Sequence, residues 1–136
     1  MILHNLHDTI RNTIFGYDCV LAFETASDYL GTNKMAYRPK LCVYSLQELN
    51  ITRVDCNLIE SYSDLEIVEL DGIRCTSARQ TIWDLLRYDR DQQVIVEAIA
   101  DWYFKHNESF DDLNIPADLQ ETFNSFVDDA IHYFDE

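Results

Sequence analysis

Leu65-Glu66-Ile67-Val68-Glu69-Leu70-Asp71-Gly72-Ile73-Arg74-Cys75-Thr76-Ser77-Ala78-Arg79-Gln80 is the stretch on which the fold turns. Its first half favours period two, with branched residues on the pattern of a strand, although Leu65, Ile67 and Leu70 compete for the inner face. Asp71-Gly72 is a tight-turn dipeptide, and Ile73-Arg74-Cys75 is a short return strand, so the stretch predicts a hairpin. At Thr76 the period changes from two to that of a helix. Ser77, followed three residues on by Gln80, fits a capping box. Ile82, Leu85 and Leu86 then face inward, with Trp83 beside them.

Working outward towards the N-terminus, Leu41-Cys42-Val43-Tyr44 and Arg53 to Ile59 also read as strands. Before them, Leu3, Leu6, Ile10 and Ile14 fall at steps of three and four, predicting a helix over residues 2–14. Gly16 and Tyr17-Asp18 interrupt it. A second helix is expected from Cys19 to Leu30, with Phe23, Ala26 and Leu30 inward and Gly31 as its C-cap. Thr32-Asn33-Lys34 reads as loop.

Towards the C-terminus, a polar break at Tyr88-Asp89-Arg90-Asp91 precedes a helix over Gln92–Lys105, with Ile95, Ala98, Ile99 and Trp102 inward. Pro116 stands in the first turn of a last helix, where its missing N–H costs nothing. There Leu119, Phe123, Phe126, Val127, Ala130, Ile131 and Phe134 share a face, while Asp118, Glu121, Asp128, Asp129 and Asp135 line the other. The expected architecture is α+β: a small antiparallel sheet of three to five strands within residues 41–75, packed against N- and C-terminal helices. No linker or repeat divides the 136 residues, which are read as a single domain, 1–136.

Charge is distributed unevenly. The formal net charge is −15. Residues 1–90 hold 9 basic and 13 acidic side chains, a net of −4, whereas residues 91–136 hold Lys105 alone against 12 acids, a net of −11. Such a field repels phosphate backbones, argues against direct nucleic-acid binding and attracts a basic protein partner. No apolar run reaches the roughly 18–20 residues of a membrane span, and the N-terminus does not read as a signal peptide. The cytoplasm is the expected location. Cys19, Cys42, Cys56 and Cys75 lack C-x-x-C spacing, and three of them lie in strand-like runs, so free thiols are expected.

No pattern of catalysis emerges. His4 and His7 share a helix face without an acid or cysteine to complete a metal set, and His106 and His132 fall near helix C-termini. There is no nucleophile elbow, and three isolated glycines make no phosphate-cradling loop. Glu66, Glu69 and Asp71 alternate with apolar residues as on a solvated sheet face. The expectation is a non-enzyme with no cofactor and no metal. Trp102-Tyr103-Phe104 spans nearly all sides of one helix, so one ring is either covered by the last helix or exposed as an anchor for a partner. Trp102 is the candidate anchor, and Asp111, Asp112, Asp128 and Asp129 are the candidate acidic rim.

Three segments together resemble a family. Residues 21–31, Leu41-Cys42-Val43-Tyr44-Ser45 and the passage from Asp71 to Leu86 are similar in order and spacing to AbiEi-type proteins, the antitoxins and transcriptional regulators of bacterial abortive-infection systems. The likeness covers roughly residues 17–106. It implies an antitoxin-like role in phage defence beside a nucleotidyltransferase-like toxin. Members usually begin with a winged helix-turn-helix, whereas this sequence starts almost directly at the later domain, so operator binding is not implied. The family's Arg-Thr pair is met here as Arg79-Gln80-Thr81, with one residue inserted or shifted. Arg74, Arg79 and Arg87 form the only local basic cluster and are the first place to look for contact with DNA or an acidic patch on a toxin. The alternative is an acidic adaptor or nucleic-acid mimic that occupies a basic protein surface. A third reading is a degenerate enzyme whose carboxylates still bind a divalent metal.

Overall fold

The computed structural model describes residues 5–34 and 36–135. In chain order the elements are α1 (Asn5–Ile14), β1 (Cys19–Leu21), α2 (Phe23–Leu30), β2 (Leu41–Ser45), β3 (Val54–Leu58), β4 (Ile67–Leu70), β5 (Ile73–Thr76), α3 (Ala78–Arg87), α4 (Gln92–Lys105) and α5 (Gln120–Ile131). The α+β class is as expected. The sheet has five strands, in the order β3-β2-β1-β5-β4.

Three features depart from the sequence reading. Pro116 does not stand in the first turn of α5: it precedes a 3-10 turn at Ala117–Leu119, and α5 begins only at Gln120. The sheet is mixed: β1–β2 and β4–β5 are antiparallel, while β1–β5 and β2–β3 are parallel. It also begins at Cys19, because the expected helix over Cys19–Leu30 is a strand followed by a shorter helix. Cys19, Val20 and Leu21 form the central strand and are buried on both faces. A short run with no polar alternation carries no period by which strand and helix could be told apart. The helix expected to start at residue 2 is described from Asn5, and Leu3 and His4 lie outside the described residues.

The hairpin forms as read, with Leu70 opposite Ile73 and Ile67 opposite Thr76. Asp71 and Gly72 both take positive φ, 53° and 79°, the left-handed pair of a type I′ turn. Ser77 caps α3, its Oγ accepting from the Gln80 N–H at 3.0 Å. Only that half of the capping box is made. The Gln80 amide accepts from the Glu66 N–H at 3.0 Å and donates to Asp84 at 3.1 Å, tying β4 to α3. Asp91 caps α4 through the N–H groups of Gln93 and Val94. Gly31 ends α2 at φ 79°, its N–H directed to the Ser27 and Asp28 carbonyls.

The two sheet faces feed two apolar clusters. Val20, Cys42 and Tyr44 point towards Ile82, Leu85, Ile95, Ile99 and Trp102 of α3 and α4, a cluster that Leu113, Leu119, Phe123 and Ala130 close from the C-terminal side. Cys19, Leu21, Val43, Ile73 and Cys75 point the other way, onto Ile10 and Ile14 of α1 and onto Ala26 and Tyr29 of α2. All four cysteines carry free thiols, three buried and Cys56 half-buried. Among the described residues no helix is long and apolar enough to cross a membrane.

Candidate functional site

The arginines of α3 face the segment that joins α4 to α5. Arg79 forks onto Glu66, with Nε and Nη2 each at 3.2 Å, and Nη1 donates to the Asp112 carbonyl. Its guanidinium lies 5.9 Å from the centre of the Trp102 ring. One turn on, Trp83 Nε1 donates to the Leu113 carbonyl at 3.1 Å. At the far end of α3, Arg87 pairs with Asp118 at 2.6 Å. Arg74 sits apart on β5, pairing with Asp18 at 2.7 Å over the ring of Tyr62. Each of the three arginines read as a basic cluster is thus held by a carboxylate. Hydrogen bonds from Ser77 and Arg79 also hold the Glu66 carboxyl below the ordinary glutamate value.

Of the residues expected at a partner surface, the structure brings Arg79, Trp102 and Asp112 together. Trp102 is not the exposed anchor: it is 7% exposed, stacked on His106 with ring centres 3.9 Å apart. The helix turns that side chain under Arg79 and the α5 side of the core. The exposed member of Trp102-Tyr103-Phe104 is Phe104, at 40%. It meets Phe134, 62% exposed, edge-on at 5.3 Å. Tyr103 and Tyr133 continue this row of rings across the C-terminal ends of α4 and α5.

Asp111, Asp112, Asp118, Glu121, Asp128 and Asp129 are all exposed. Asp111 and Asp112 begin a 3-10 turn at Asp111–Leu113, while Asp128 and Asp129 occupy the last turn of α5. Lys105 is paired within its own helix to Asp101 at 3.2 Å. His132 accepts the local field: the Asp128 carbonyl and carboxylate raise its pKa above the ordinary histidine value. The arrangement is therefore a carboxylate-rich helical face with two bare phenylalanine rings at one end.

No protein-family model and no curated protein matches the chain. Geometry and chemistry therefore carry the functional reading.

Among the described residues no group of three His, Cys, Asp or Glu side chains is placed to hold a metal ion. The buried carboxylates have protein partners. Asp28, in α2, accepts Arg38 at 2.5 Å and 3.1 Å. Glu97, in α4, accepts from Gln93, the Lys34 N–H and the Tyr133 hydroxyl. Burial would raise the Glu97 carboxyl, but those bonds together hold it low. Sequence reading missed these residues. Apart from Gln93, one turn before Glu97, the partners Arg38, Lys34 and Tyr133 lie outside the helix that carries the acid, so spacing within that helix carries little sign of the pair.

Proposed function

We propose that this protein is a non-enzymatic regulatory domain that binds a basic protein partner through the acidic face of residues 108–135, in the manner of an antitoxin-like component of a bacterial toxin–antitoxin system. One observation carries the reading. Residues 108–135 contain no lysine or arginine; Lys105, just before them, is already paired with Asp101, and Arg87 reaches across to Asp118, leaving the other exposed carboxylates without an arginine or lysine partner among the described residues. Uncompensated charge of one sign on a folded surface steers an oppositely charged partner and disfavours wrong ones. Phe104 and Phe134 supply the apolar anchor that converts steering into residence. The AbiEi-type resemblance suggests the class of partner, a nucleotidyltransferase-like toxin.

The test is to co-express the chain with a nucleotidyltransferase-like toxin and to measure their affinity directly. Changing Asp111, Asp112, Asp128 and Asp129 together to asparagine is expected to weaken binding by at least about tenfold at low salt, with most of the loss in the association rate. Unchanged binding would sink the reading.

The acidic adaptor or nucleic-acid mimic remains the second reading, favoured by the same row of carboxylates. A mimic engages basic partners through charge alone. Phe104→Ser with Phe134→Ser would then leave affinity intact, whereas an antitoxin-like interface loses it.

A further inference from the structure

Away from the acidic face, a cavity of about 90 Å³ opens between α1 and the segments around residues 36–41 and 52–53. Leu6 and Ile10 of α1 and Leu41 of β2 form its apolar walls, and Arg38, Arg53 and Tyr37 stand around it. Arg38 uses Nε and Nη2 on the buried carboxylate of Asp28, which cancels its charge and leaves Nη1 without a hydrogen-bond partner among the described residues. Arg53 is different. Among the described residues it has no carboxylate within 4.0 Å; it donates to the Tyr37 hydroxyl at 2.9 Å and lies 5.5 Å from that ring's centre.

Arg53 also adopts φ 72°, a left-handed backbone that a long side chain rarely takes, and its exposed side chain lines the mouth of the cavity. Seven of the ten basic side chains are locked in ion pairs. Among the described residues Lys34, Lys40 and Arg53 have none, and of these three Arg53 is the one that lines this cavity. With Arg38 and Asp28 cancelling each other, that leaves the single charge of Arg53 uncompensated beside an apolar hole.

We propose that this cavity binds a small organic carboxylate, its short branched aliphatic tail between Leu6, Ile10 and Leu41 and its carboxylate on the guanidinium of Arg53. The lining charge points to a monoanion, since Arg38 is already neutralised and Arg53 supplies a single positive charge. The planar fork of a guanidinium matches a carboxylate edge. The room is somewhat less than the ~150 Å³ that takes a benzene molecule, so the tail is short and the polar end stays at the mouth.

3-Methylbutanoate and 2-methylpropanoate, with their neutral amides and inorganic phosphate, are the probes. In a titration followed by amide NMR of the full chain, at least one carboxylate is expected to shift residues 9–13, 36–41 and 52–53 saturably. The matching amide should bind at least about tenfold more weakly, because the charged hydrogen bond is lost. Arg53→Gln should lose a similar factor, Arg53→Lys should recover part of it, and the remote Arg87→Gln should change nothing. The amide spectrum itself reports whether each variant is folded. Failure of both carboxylates to saturate by about 10 mM overturns the proposal. Equal binding by Arg53→Gln does so too, and equal binding of inorganic phosphate reduces the site to a nonspecific anion contact.

Discussion

Arg90 holds Glu24 with both arms of its guanidinium, Nη2 at 2.8 Å and Nε at 3.1 Å from the same carboxylate oxygen, across sixty-six residues of chain. The second oxygen accepts from the Asp91 N–H at 3.2 Å, so the pair also fixes the start of α4. Arg90 lies 4.2 Å from the centre of the Phe23 ring. Phe23 opens α2 at φ 54°, a costly backbone for an aromatic residue. Its ring is held against Tyr44 and Tyr88, and that packing offsets the strain. The β1–α2 junction, α3 and α4 meet on this pair.

Removing one partner of a largely buried pair leaves the other charge uncompensated. Arg90→Met is therefore expected to cost about 3 kcal/mol, whereas Glu24→Gln with Arg90→Met recovers part of that. In a chain of this size the single variant should lower Tm by about 4 °C per kcal/mol. Burial alone would raise the Glu24 carboxyl, but the bonds from Arg90 and Asp91 and the charge of Arg90 hold it below 4.5. A depressed acid contributes stability that is present above its unfolded pKa and is lost as pH falls towards the folded value. Urea unfolding at pH 3.5 and 7 should show a shallower dependence in the double variant than in the wild type, the remainder coming from other depressed acids such as Glu66 and Glu97.

Asp84 behaves in the opposite sense. It is 4% exposed, Oδ1 accepts from Gln80, and Oδ2 has no hydrogen-bond partner. Burial pushes its carboxyl above 3.8, outweighing Gln80, Tyr44 and Arg87, and burial together with the Asp84 charge pushes the Tyr44 hydroxyl up. A raised acid contributes most below its unfolded pKa, and that contribution fades as pH rises through the folded value. Asp84→Asn keeps the shape and removes the titration. It should be neutral near pH 4 and stabilising by about 1 kcal/mol at pH 8. Equal destabilisation at both pH values would refute the assignment.

How much of this was legible in the sequence depended on whether the signal was local. The hairpin at Asp71-Gly72, the Ser77 cap and the bounds of α4 rest on neighbours in the chain, and they stand as read. The strand Cys19–Leu21 was hidden because central strands are apolar throughout. The roles of Arg74, Arg79 and Arg87 were hidden because an arginine reads alike whether free or paired, and their acids, Asp18, Glu66 and Asp118, lie 13 to 56 residues away. The acidic face was legible as composition, since Asp128 and Asp129 need only be outside.

Those arginine pairs are solvent-accessible, and pairs of that kind contribute little. Arg74→Ala and Arg87→Ala are each expected to cost under about 1 kcal/mol and to leave partner affinity unchanged. Arg79→Met should cost more than either, because it also releases the Asp112 carbonyl and uncovers Trp102. A comparison of three urea midpoints at constant slope decides the order.

Thiol accessibility offers a direct reading of the core. Burial pushes Cys19 up to about 11 and Cys75 up to about 12, and raises Cys42 despite the nearby Arg90. Only the thiolate reacts, so at pH 8 an aromatic disulfide reagent should label Cys56 first, while the other three wait for unfolding. Cys56→Ser should abolish the fast phase. Labelling of Cys42 at a comparable rate would mean that the Arg90–Glu24 corner opens readily.

Trp102 and Phe104, two residues apart on α4, are expected to separate stability from binding. Trp102 is buried, stacked on His106, and truncation to alanine should cost about 3–5 kcal/mol, enough to unfold a marginal domain. Phe104 meets the rings of Tyr103 and Phe134 edge-on and is 40% exposed. Phe104→Ser should therefore change stability by under about 1 kcal/mol while weakening an anchored partner by 2 kcal/mol or roughly thirtyfold. Melting curves and titration calorimetry on the same two variants test both halves. If Phe104→Ser binds like the wild type, the bare rings are not the anchor, and charge alone must carry the interaction.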